Sequence, residues 1–135
     1  MSIDVGVSAL RGNFQALRRV GQANNDIGAY LLRFYAVECG LKAAIMTRSK
    51  FRSTAQLPQH LRSHDLQALA RTLRLAPSEY QGIASCARHG SPLPVASHQV
   101  HEAWRYGARL VPAAEKRFVT GLDLLIEWCQ KELQR

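Results

Sequence analysis

Apolar residues recur at alternating spacings of three and four near the start of the chain, at Val7, Leu10, Phe14 and Leu17. Such spacing marks one buried helix face and predicts a first helix from about Val7 to Val20. Gly21 to Asp26 supplies turn residues, with Asn25 or Asp26 able to cap the free N–H groups of the next helix. The second helix runs to about Arg48 and carries Ile27, Tyr30, Leu31, Phe34, Leu41 and Ile45 in one stripe. Glu38 interrupts that stripe. A carboxylate buried without a partner is costly or takes up a proton, so Glu38 requires a cation or hydrogen-bond donor across the bundle. Lys42, one turn later, is the nearest candidate. A neutralised polar spot in the core is the commoner fate of such an acid than direct catalysis.

Ser49 to Leu61 has no apolar period and reads as a mobile, solvated loop. Ser63 is positioned to cap a short third helix, with Asp65 in its first turn and Leu66, Leu69 and Leu73 inward. Pro77 and the Ser78-x-x-Gln81 pattern open a brief fourth helix, with Tyr80, Ile83 and Ala87 inward and Gly90 ending it. Gly90 to Ser97 contains two prolines and is an internal loop. His98 to Val111 is open between a short helix and an irregular approach, because Gly107 weakens the helical pattern. Pro112 then starts a clear last helix with Phe118, Leu122, Leu125, Cys129 and Leu133 at helical spacing. No segment alternates with period two and no internal repeat is visible. The expected fold is therefore all-α, an antiparallel bundle of four to five helices.

Length adds that residues 1–135 form one domain, large enough to bury a core without disulfides or metal. Charges break up the apolar residues, so no run reaches the roughly 18 needed to cross a bilayer. Met1 to Gly12 lacks the pattern of a secretory signal, which points to the cytoplasm. Cys39, Cys86 and Cys129 form an odd set without CxxC spacing and read as free thiols. The net charge is +8, and 14 of the 18 cations are Arg. Arg is favoured where a planar fork grips phosphate or carboxylate, so the charge suggests a polyanionic or acidic partner.

Three pieces taken in order carry a family resemblance: AYLLRFYAVECGLKAAIM in the second helix, HDLQAL at the third, and WRY near the C-terminal segment. Together they resemble a HEPN domain, the small helical bundle named for higher eukaryotes and prokaryotes nucleotide-binding, over roughly Ala29 to Leu133. The resemblance implies a four- or five-helix bundle that often dimerises. Its relatives belong to toxin–antitoxin, abortive-infection and CRISPR-linked systems, where many are metal-independent ribonucleases with an Arg-x4-6-His motif on a late helix. This sequence departs from that motif: none of His60, His64, His89, His98 or His101 has an Arg five to seven positions before it. The departure implies a binding or regulatory version of the fold. The resemblance further implies structural use of Glu38, His64 and Arg105, with Arg105 a distant partner for Glu38.

Other chemistry is thinner. His64-Asp65 with His60 is similar to part of a metal phosphohydrolase site but lacks the further His and Asp ligands a water-activating metal needs. Cys86-x-x-His89 and His98-x-x-His101 have spacing that a tetrahedral zinc accepts, against the alternative of one buried thiol and three surface imidazoles. Cys86, His89 and Ser91 lie close in sequence, but neighbours in sequence seldom place nucleophile, base and orienting acid correctly. No GxSxG, P-loop or GxGxxG pattern is present, and no metal or cofactor is expected. From Lys42 to Arg74, seven cations (Lys42, Arg48, Lys50, Arg52, Arg62, Arg71 and Arg74) face only Asp65 in sequence, a stretch suited to phosphates or an acidic protein. Exposed aromatics for base stacking are few.

The leading expectation is a non-catalytic, HEPN-like accessory subunit of a bacterial defence or toxin–antitoxin system. It would bind RNA or DNA through Arg48, Lys50, Arg52, Arg62, Arg71 and Arg74, or a partner encoded in the same operon, with homodimerisation an option and no membrane contact. One rival is a metal-independent ribonuclease that uses His64 or His101 as acid or base and Arg105 to stabilise phosphate charge. The other is a helical scaffold for an acidic protein.

Overall fold

The computed structural model describes residues 3–134. Among these residues six α-helices form: α1 (Val7–Gly21), α2 (Ile27–Ser49), α3 (Leu66–Thr72), α4 (Pro77–Tyr80), α5 (Val100–Tyr106) and α6 (Pro112–Leu133). Short 3-10 turns cover Thr54–Gln56, Gln59–Leu61 and Ser97–Gln99. Among the described residues there are two isolated β-bridges and no strand. No helix among them is long and apolar enough to cross a membrane.

Helix α2 is the axis of the molecule, packing against α1, α6, α3 and α5. Asp26 caps it by accepting from the Ala29 N–H at 2.8 Å. Its far end closes at Lys50, which takes a left-handed φ of 58° so that the N–H groups of Lys50 and Phe51 reach the Thr47 and Met46 carbonyls. Because neighbours surround it, α2 is buried almost all round from Ala36 to Met46 except at Glu38 and Cys39. A single stripe therefore describes it poorly, and Ile27 at its exposed start lies outside the core. Phe34 of α2 stacks with Phe118 of α6 at 6.1 Å, and Trp104 of α5 meets Phe118 edge-on.

Close approach of α2 to its neighbours depends on Gly40. A Cβ there would lie 2.7 Å from Cys129 Sγ and 2.9 Å from Phe14 Cδ1, between α6 and α1. We expect Gly40→Ala to destabilise the fold by about 2 kcal/mol through overpacking, despite the better helix propensity of Ala. An unchanged denaturant midpoint would show that this crossing relaxes freely.

The stretch after α2 differs from the solvated loop expected there. Leu57 and Leu61 are buried in the core, and Arg62 donates to the Leu57 and Ala55 carbonyls. Val5 and Thr54 exchange bonds, laying the N-terminal residues along this segment. Asp65, not Ser63, caps α3, accepting from the Ala68 N–H at 3.1 Å. Helix α4 is one turn only. A Cβ on Gly82 would come within 2.9 Å of the Arg117 carbonyl, so the chain passes tightly against α6. It then runs extended to pair Cys86 with Val95 and Arg88 with Leu110. Ala87 is consequently exposed, and Gly90 serves a turn at φ +76° in place of a helix end. Gly107, at φ +80°, terminates α5.

Candidate functional site

Tyr35 and Glu38 stand one turn apart on α2, sharing a face with Lys42 a further turn on. Opposite them lie His64, just before the start of α3, and His101 in the first turn of α5. The Glu38 carboxylate is engaged at both oxygens: Lys42 Nζ donates to Oε2 at 2.9 Å, and His64 Nδ1 lies 2.6 Å from Oε1. A carboxylate only accepts, so the Nδ1 of His64 carries the proton of that bond, leaving Nε2 to gain or lose the second one. The His64 and His101 rings lie 4.3 Å apart between centroids, tilted by 48°. His101 Nδ1 meets the Tyr35 hydroxyl at 3.2 Å, and its ring packs on Phe34. His101 is 2% exposed, whereas the side chain of His64 is 47% exposed.

These surroundings drive the titratable groups apart. Burial alone would raise the Glu38 carboxyl, but bonds from His64 and Lys42 outweigh it and hold the group below its ordinary value. The hydrogen bond to Glu38 raises His64 against a smaller opposing effect of burial. Burial, reinforced by the charge of His64, lowers His101. Burial raises Tyr35 against the opposing charge and hydrogen bond of Arg105. On its outer side, His64 borders a hollow lined also by Leu10, Lys42, Leu57 and Arg62.

The structure thus gathers Glu38, Lys42, His64 and His101, with Arg105 at the edge. Arg105 is neither buried nor bonded to Glu38: α5 turns it outward, where it lies by Tyr35 and 5.2 Å from the Tyr106 ring centre. Tyr35 is the member that sequence reasoning missed, although its i−3 relation to Glu38 placed it on the same face.

The six cations expected to form one face do not act alike. Arg48 bonds Glu132 at 2.9 Å and the Leu73 carbonyl at 2.9 Å, and Arg62 holds loop carbonyls. The Arg48 to Leu73 bond joins the ends of α2 and α3, where Lys50, Arg71 and Arg74 are exposed. Cations at such C-terminal ends also offset the helix dipoles. Arg52 is exposed in the following loop. The Cys86, His89, His98 and His101 zinc arrangement does not form: no group of three or more His, Cys, Asp or Glu suited to a metal gathers among the described residues. Cys86 is buried against the Ala84 and Ala114 carbonyls, with burial pushing its thiol up to about 11. His89 and His98 face outward, and His101 is held by Tyr35.

The shifts carry a pH signature. A raised His64 stabilises the fold below its ordinary value of 6.5, an effect lost as pH rises through its folded value. A lowered Glu38 stabilises it above 4.5, an effect lost as pH falls through its folded value. The lowered His101 acts in the opposite sense to His64, its share disappearing as pH falls below 6.5. Glu38→Gln should therefore cost most between 4.5 and 6.5, and less as pH rises further. A loss of about 1–2 kcal/mol should persist because Lys42 keeps only a neutral acceptor. Denaturant unfolding across pH measures this, and a cost that grows as pH rises above 6.5 would contradict the pairing.

Compared with family models, curated proteins and solved structures, the chain matches none.

Proposed function

We propose that the chain is an antiparallel, HEPN-like helical bundle that cleaves RNA without a metal, using His64 and His101 as its acid and base. The observation that carries this reading is the close contact of the two imidazoles, 4.3 Å between centroids, with proton affinities driven in opposite directions. Such divergence is how one site holds an acid and a base at the same pH. His101, favoured neutral, takes the proton of the attacking 2′-hydroxyl. His64, favoured protonated by Glu38, gives a proton to the departing 5′-oxygen, so that a 2′,3′-cyclic phosphate and a 5′-hydroxyl result. Arg105 supplies charge to the phosphate oxygens as they become more negative. Glu38 fixes the orientation of His64, and Tyr35 that of His101.

The test is incubation of purified protein with mixed RNA in EDTA over pH 5 to 8, about the range in which imidazoles exchange protons. Cyclic-phosphate ends on the products support the reading, and intact RNA throughout overturns it. The near-complete burial of His101, with Lys50, Arg71 and Arg74 exposed, favours a second reading: a non-catalytic subunit of a defence or toxin–antitoxin system that grips phosphates. It predicts uncut RNA retained on a filter, with affinity falling steeply as salt rises.

A further inference from the structure

Away from the imidazole pair, the extended passage after α4 and the end of α5 enclose a second hollow lined by Arg88, Leu93, Pro94, Glu102 and Tyr106. Its walls carry two of the most exposed large apolar side chains of the molecule, Leu93 at 75% and Tyr106 at 74%. Exposure of this kind is expensive in water and marks a contact surface when apolar groups share one hollow. The walls are braced. Cys86 and Val95 exchange two backbone bonds at 2.8 Å, the His89 N–H donates to the Arg109 carbonyl at 2.9 Å, and the Val111 N–H donates to Ala87 at 2.8 Å. Tyr106 is fixed at the end of α5, where Ala108 closes back on Ala103.

Two cations border the hollow. Arg88 lines it, and the Arg105 guanidinium lies over the Tyr106 ring. Glu102 is the one carboxylate among the lining residues, at the edge of the site. Exposed apolar side chains, a cation over an aromatic ring and an Arg in the lining are parts of a stacking platform for unpaired bases. A duplex cannot use it, because its bases are already stacked on their own neighbours.

We infer that this hollow is a nucleobase slot for single-stranded RNA: a base stacks on Tyr106 against Leu93, and its phosphates meet Arg88 and Arg105. The slot rests on the reading of RNA as substrate. It adds the state of the strand and its direction of approach, since His101 and Arg105 are neighbouring turns of the helix that ends at Tyr106.

The probe is a short fluorescent 2′-O-methyl RNA, which lacks the nucleophile and stays intact, offered single-stranded and as a duplex of the same sequence. Wild-type protein is expected to bind the single strand more tightly. Tyr106→Ala should weaken that binding roughly 10-fold, and Tyr106→Trp should preserve it, with duplex binding alike in all three. Equal affinity for both forms, no binding to either, or a Tyr106→Ala protein that binds like wild type overturns the slot; the last result leaves the hollow to an apolar segment of a protein partner. The slot and the imidazole pair fail separately. Cleavage of ordinary RNA with KM unchanged in Tyr106→Ala removes the slot alone, whereas Tyr106-dependent binding without cleavage removes the catalytic reading alone.

Discussion

Substituting His64 with Ala is expected to lower RNA cleavage in EDTA by about 100- to 10,000-fold, the usual contribution of one general acid or base. The fold should survive, because the ring is half exposed and Glu38 retains Lys42 as its partner. His101 supplies a readout independent of activity. The charge of His64 is part of what lowers His101, so in the variant the His101 imidazole should titrate closer to its ordinary value. Proton NMR of the imidazole resonances follows that change. Undiminished cleavage by a well-folded His64→Ala protein would remove His64 from the chemistry.

Legibility in the sequence followed the range of the interactions. The first and last helices stand out because Phe14 and Phe118 recur with their neighbours at helical spacing and face one side each. Glu38 was visible as an acid inside an apolar stripe, and Lys42 as its partner one turn away. His64 as a second partner was not visible, because 26 residues separate it from Glu38 and no local rule joins them. Tyr35 and His101 are 66 positions apart, and their contact exists only after α5 docks on α2. The end of the short fourth helix was misplaced for a related reason: Gly82 must lie against Gly121 of α6, a requirement set by a distant segment. Arg62 looked like a phosphate ligand within a basic run, yet its nearest acceptors are carbonyls of its own loop.

Arg33 was hidden for the same reason and has the largest expected effect on stability. It is 4% exposed. Its guanidinium donates to the Gly21 carbonyl at 2.8 Å, the Asn24 carbonyl at 2.7 Å, Asn25 Oδ1 at 2.9 Å and Asp123 Oδ2 at 3.2 Å. One side chain thus ties together the α1–α2 turn and α6. Arg33→Ala is expected to destabilise the protein by about 3 kcal/mol. Most of that loss comes from the turn carbonyls, since the Asp123 side chain is 42% exposed and regains water. Arg33→Lys should recover only part of it, because one ammonium cannot span acceptors that a planar fork reaches together. Denaturant unfolding reads both variants, and a change below about 1 kcal/mol in Arg33→Ala would show that water replaces the clamp.

The unequal lengths of chain joining the helices have a kinetic consequence. Helices α1 and α2 meet through a connection of a few residues, whereas α6 reaches α2 only after the long excursion that contains His64 and His101. Closing a small loop loses less chain entropy, so the first helical pair should organise early and the docking of α6 late. Tyr35 and Glu38 then belong to the early pair, and both histidines to the excursion. Partial opening of that excursion would separate the imidazoles from their α2 partners while the two N-terminal helices keep their amide protons protected.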